Sequence, residues 1–119
     1  MPQTRILRIS ALQPTEHKVS PQILKEIEQG KRKYSDFPEV WRARDLLILV
    51  DGHHRVYHAL QQKQNRIRVN YHSQRNSLLT EQGYGCALEE ALKDAAFHRE
   101  AGIFKISDLR VEEFEESVQ

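Results

Sequence analysis

Residues 45 to 62, Asp45-Leu-Leu-Ile-Leu-Val-Asp-Gly-His-His-Arg-Val-Tyr-His-Ala-Leu-Gln-Gln62, change character at Asp51-Gly52. Before that point, Leu46 to Val50 is a short unbroken apolar run, as expected of a strand buried on both faces. After it, Val56, Ala59, Leu60 and Lys63 recur at spacings of three and four, which predicts an amphipathic helix with one stripe apolar or covered by a lysine stem. Asp51 is the expected N-cap. Gly52 permits a sharp turn and keeps the helix start free of a blocking side chain. His53, His54 and Arg55 then fill the first turn. Amides there have no partner within the helix, and the helix dipole adds partial positive charge, so an anion is stabilised. Arginine supplies a planar fork of donors suited to phosphate, and histidine another donor. Asp51 to Arg55 is therefore a candidate phosphate site. The same residues also suit a plain helix cap followed by solvated polar side chains.

The apolar strand running into Asp51-Gly52-His53-His54-Arg55, with Ala59 four residues after the arginine, resembles the signature of the ParB/sulfiredoxin superfamily. Sulfiredoxins carry Gly-Cys-His-Arg at the matching place and ParB proteins a Gly-x-x-Arg element. The spelling here is most similar to the free serine kinase branch. The resemblance covers about residues 5 to 72. It implies a loop and helix start that hold nucleotide phosphates, with Gly52, His53, His54 and Arg55 as the binding residues. ATP, ADP or CTP would be the cofactor, accompanied by Mg2+. In the kinase branch a glutamate between the first strand and first helix deprotonates the substrate hydroxyl, and Glu16 occupies that segment. Glu16 is thus the implied general base, and Asp51 a second base or a magnesium ligand; Glu16 also reads as an exposed loop residue. Serine specificity is not carried over, since the kinases hold additional substrate-binding sequence.

The same comparison argues against a sulfiredoxin activity. That chemistry needs a cysteine where this chain has His53, and Cys86 lies in a different segment, where it reads as a small buried hydrophobe.

The 119 residues suffice for one domain, expected to span 1–119 with a core at about 5–72 and a C-terminal helical extension at 73–119; the 39% hydrophobic content is ordinary for a globular chain. Eighteen basic residues against 17 acidic ones leave no global positive field for nucleic acid, although a local patch remains open. A lone cysteine excludes an internal disulfide framework and fits a reducing cytoplasm, the expected compartment. Met1-Pro-Gln-Thr-Arg5 lacks an apolar signal region, and no stretch approaches membrane-spanning length.

Taken in order, Arg5 to Ile9 predicts a first strand, ended by Leu12-Gln-Pro14. Ser20-Pro21 is a helix start, Ile23, Leu24 and Ile27 its buried stripe, and Gly30 its stop. The basic run Lys31-Arg-Lys33 reads as a solvated helix end. Phe37 to Trp41 predicts a strand that forms a hairpin with Leu46 to Val50. Arg66 to Tyr71 alternates as a half-exposed strand. Gln82-Gly-Tyr-Gly-Cys86 reads as a turn. Leu88, Ala91, Leu92, Ala95 and Ala96 predict an amphipathic helix stopped by Gly102, and Ser107-Asp108 a cap for a last short helix ending at Glu112 to Glu116. The fold class expected is α+β, a small mixed sheet with helices packed on it, in agreement with the resemblance.

Two classes of function follow. One is a nucleotide-dependent enzyme, a small phosphotransferase or NTP hydrolase. The other is a non-catalytic module that binds a nucleotide or phosphorylated ligand and signals to an unknown small-molecule or protein partner. A ParB-like nuclease or nonspecific DNA-binding role stays open. Sequence-specific DNA binding is disfavoured, because only about 45 residues follow the last predicted strand, too few for helix-turn-helix and dimerisation regions. His54 and His58 have a spacing able to share a metal, but they do not match the recognised zinc motifs, and no resident metal is expected.

Overall fold

The protein is described by a computed structural model covering residues 3–73 and 84–113. Strand β5 (Leu46–Asp51) lies near the middle of a five-stranded sheet. Its neighbour β4 (Glu39–Ala43) pairs with it antiparallel through the two-residue turn Arg44-Asp45, in which Arg44 takes a positive φ of 55°. Beyond β4 come β6 (Arg66–His72), parallel to β4, and then the edge strand β1 (Gln3–Arg8), antiparallel to β6. On the other side of β5 lies β2 (Leu12–Gln13), parallel to it. The order β1-β6-β4-β5-β2 is mixed, and with its packed helices the described chain forms one α+β domain.

The alternation within β5 explains why its apolar run is unbroken. Leu47 and Leu49 face the larger core with Ile9, Leu12, Val40, Val56, Val69 and Ile106, which α1 (Pro21–Glu28) and α2 (His53–Gln61) help to cover. Leu46, Ile48 and Val50 face a smaller cluster with Trp41 and Ala43, closed by Leu88, Ala91 and Ala95 of α3 (Tyr84–Glu100). A strand with both faces covered has no polar side to show.

Local signals set the helix ends. Ser20 caps α1 by accepting from Ile23 N at 3.2 Å, with Pro21 at the first helical position, and Gly30 and Gly102 take positive φ beyond α1 and α3. Among the described residues no helix is long and apolar enough to cross a membrane.

Four expectations are corrected. Leu12-Gln13 is not merely the end of the first strand; after a 3₁₀ turn at Ile9–Ala11 it forms β2, because Leu12, fully buried, completes the core beside Leu47. Asp51 is still a strand residue, exposed and opposite Glu39, and the N-cap is Gly52 in the left-handed region at φ 96°. Ser107-Asp108 belongs to a 3₁₀ turn, Ile106–Asp108, rather than a cap. The chain then enters β7 (Arg110–Val111), which pairs in parallel with β3 (Lys18–Val19), so the expected last helix is replaced by a strand as Ile103, Ile106 and Leu109 join the main core. Tyr84 to Cys86 are the first residues of α3, not a turn. Gln82, Gly83, the Cys86 side chain and Phe114 to Glu116 lie outside the described residues.

Candidate functional site

The turn from β5 into α2 depends on Gly52. A Cβ at this position would lie 2.7 Å from Pro38 Cβ, and the left-handed backbone disfavours any L side chain. The strand can therefore pass into the helix without a spacer. Val56 N donating to Gly52 O at 3.0 Å closes the first intrahelical bond, so the amides of His53, His54 and Arg55 precede the helical ladder.

The two histidines hold the segment between β2 and α1. His53 Nε2 accepts from Thr15 N at 2.9 Å, while Thr15 Oγ1 donates to Leu49 O at 2.8 Å. His54 Nε2 accepts from Ser20 N, also at 2.9 Å. An imidazole accepting at Nε2 is neutral with its proton on Nδ1. Burial, with His54 and His98 adding repulsion, pushes the His53 pKa down to about 3, from an ordinary 6.5. Burial also lowers that of His54, helped by Arg32 and opposed by Glu113. These rings thus grip the loop at both ends, and their Nε2 atoms are engaged by backbone.

Held in this way, the loop brings Glu16 to the start of α2. Glu16, Asp51, Gly52, His53, His54 and Arg55 all line one pocket of about 180 Å³, together with Tyr34 and Asp36. The candidate catalytic and phosphate-binding residues thus line one pocket, which His58 does not reach. Glu16 titrates above the ordinary carboxylate range because of partial burial, with Asp51 reinforcing and His98 opposing. His98 of α3, buried, accompanies the loop from behind; its ring meets His17 edge-on at 4.4 Å, and its Nδ1 donates to Asp94 O at 2.6 Å.

Arg55 spans the opposite rim. Its Nη1 donates to Asp36 O at 2.7 Å and lies 3.7 Å from Asp36 Oδ1, its Nη2 is 3.9 Å from Asp51 Oδ2, and the guanidinium sits 4.2 Å over the Tyr34 ring. Among the described residues, Arg55 Nε is buried without a hydrogen-bond partner. Tyr34 and Asp36 carry no periodicity or motif in the sequence, and only the arginine's reach reveals them.

The charge balance of the pocket decides what it suits. Three carboxylates surround one guanidinium and two neutral imidazoles, so a bare phosphate meets net repulsion, whereas a phosphate carrying a divalent cation finds partners for both charges. Among the described residues no group of three His, Cys, Asp or Glu has the geometry to hold a metal unaided. One or two carboxylates are enough for a magnesium ion that keeps its waters and phosphate ligands. The pocket is also smaller than the usual volume of sites that enclose a whole small molecule, about 300 to 1,000 Å³.

Neither a protein-family profile nor a curated protein sequence matches the chain. Among solved structures, it is similar to the crystal structure of protein Atu1540 from Agrobacterium tumefaciens, with a TM-score of 0.50 and 16% identity over 68% of this chain and 48% of that one. The chain spans about half the length of that protein, and the likeness concerns the fold alone.

Proposed function

We propose that this is a ParB/sulfiredoxin-like domain whose pocket at the start of α2 binds the phosphates of a nucleotide, ATP, ADP or CTP, with Mg2+, and that it works as a small phosphotransferase or NTP hydrolase. The observation that carries this reading is Glu16, brought from a separate loop onto the same small pocket as Asp51 and Arg55. The first-turn amides and Arg55 suit the phosphate oxygens. Asp51 and Asp36 suit the cation, which would neutralise phosphate charge. Glu16 takes the proton from the attacking hydroxyl or water as its oxygen bonds to phosphorus and the bond to the leaving phosphate breaks; its raised pKa favours that role. His53 and His54 hold the loop that carries Glu16.

A second reading, a non-catalytic module, is favoured by the Arg55 bond to Asp36 O. A phosphate drawing Arg55 away would release the 34–36 segment and so report its presence to a partner.

Calorimetric titration with ADP, ATP and CTP plus magnesium tests the proposal. One nucleotide is expected to bind, with affinity lowered about tenfold or more in Arg55→Ala, since a charged hydrogen bond contributes about 1.5 to 3 kcal/mol. Absence of binding at millimolar concentration to folded protein overturns it. Turnover lost in Glu16→Gln with binding retained supports the enzyme; tight binding with no turnover in the wild type supports the module.

A further inference from the structure

Arg8 and Arg66 face each other directly across the β1–β6 ladder. Directly opposed cross-strand side chains have Cβ atoms about 4.5 to 5.5 Å apart, and like charges so placed destabilise the pair. Both residues are exposed, and among the described residues neither guanidinium has a carboxylate partner. The next pairs along the ladder, Leu7 with Ile67 and Ile6 with Arg68, bring no acid to relieve them. At this end of the sheet lies an open cleft of about 340 Å³, lined by Arg8, Ile9, Ser10, Leu60, Asn65 and Arg66. Its backbone is fixed, because Ile9 N donates to Asn65 O at 2.9 Å as the chain enters the 3₁₀ turn. The cleft is separate from the pocket at Glu16 and Arg55, sharing no residue with it.

We infer that this cleft is an anion site for a phosphorylated small molecule. Two guanidinium forks, a hydroxyl at Ser10 and the amide of Asn65 offer donors from several directions. A phosphomonoester presents three oxygens around one centre and can engage both forks. A carboxylate offers a single two-oxygen edge, enough for one fork. The volume falls within the range of small-molecule sites, and the half-buried Leu60 supplies an apolar contact for the unphosphorylated part. The unrelieved arginine pair is then the cost of holding an anion site in register.

The test uses inorganic phosphate and pyrophosphate as probes, titrated at constant ionic strength against chloride, with amide NMR shifts and thermal unfolding as readouts. The wild type should show saturable shifts at Ser10, Asn65 and Arg66 and a raised unfolding temperature. Arg66→Gln should weaken that response about tenfold or more, and so should Arg8→Gln. Without phosphate, each variant should unfold at a temperature equal to or above that of the wild type, because the repulsion is gone. Arg55→Ala should leave the response at Ser10 and Asn65 intact, which separates this site from the pocket at α2. Equal stabilisation of wild type and Arg66→Gln, shifts centred elsewhere, or no response up to about 10 mM, well above typical metabolite-range affinities, each overturns the inference.

Discussion

The pocket at α2 has two halves built from adjacent residues, and they obey different rules. His53 and His54 point their Nε2 atoms at backbone amides of the loop, and His53 is 3% exposed and neutral. Asp51, Asp36 and Glu16 are exposed carboxylates arranged about Arg55, whose Nε has no partner among the described residues. Successive helical residues point about 100° apart, so a continuous His-His-Arg run divides its side chains between interior and rim. One half is a closed set of hydrogen bonds. The other holds surplus charge that a ligand can complete. The motif thus combines a brace with a binding edge, and the histidines that look like phosphate donors in the sequence are the brace.

The largest expected effect is on the brace. His53→Ala leaves the part-buried Thr15 N without its acceptor and opens a cavity where the buried ring sat, costing about 3 kcal/mol by chemical denaturation. If the variant instead lost less than about 0.5 kcal/mol, as surface substitutions do, the division into brace and rim would collapse.

Acidification probes the same half without mutation. The His53 pKa is about 3 when folded and 6.5 when unfolded, so between those values the unfolded chain binds the extra proton. Stability is full above pH 6.5 and declines as pH falls toward 3, by about 2 kcal/mol at pH 5. His54, also lowered, adds in the same direction. Glu16, raised, acts oppositely: the stability it favours is present at low pH and is lost as pH rises through its folded value. The net slope measured by urea titration between pH 7 and 5 should therefore follow the histidines, and should flatten in His53→Gln.

How much of this was legible follows the range of each signal. The strand, glycine turn and helix at 46 to 61 were readable because an unbroken apolar run, a left-handed glycine and a 3.6-residue period are all local. Glu16 was reachable only through the resemblance, since nothing in Pro14-Thr-Glu-His-Lys18 says that the loop folds onto α2; the two histidine bonds decide that. Asp36 and Tyr34 had no local mark. Strands β2, β3 and β7 are two residues long, too short for any period, and exist because distant segments pair. Glu113 illustrates the same limit: its carboxylate accepts from Gln22 N and Ser20 Oγ at 3.0 Å, anchoring α1 from the far end of the described chain.

Gly52→Ala tests the joint between the halves. The new Cβ meets Pro38 in a left-handed backbone, and a loss of about 2 kcal/mol is expected. The clash pushes on Pro38 and on the end of Arg55, whose Nη2 lies 3.1 Å from that Cβ position, so nucleotide affinity should fall with stability. An alanine variant of wild-type stability would mean that the turn relaxes freely and that glycine is not what lets the strand meet the helix.

The smallest effect on stability is expected at Glu16, and it is the most informative about the rim. Glu16 is exposed and makes no hydrogen bond or ion pair among the described residues, so Glu16→Gln should change unfolding free energy by less than about 0.5 kcal/mol. A glutamine keeps shape and burial but cannot take a proton. Under the proposed function, turnover should fall by about two to four orders of magnitude while nucleotide affinity stays within a few-fold, because general base catalysis contributes about that much. A stability loss as large as that of His53→Ala would put Glu16 in the brace, and its place in the pocket would then reflect packing. Unchanged stability with unchanged turnover would leave Asp51 as the remaining carboxylate able to act on the attacking group, and Asp51→Asn would then have to carry the loss.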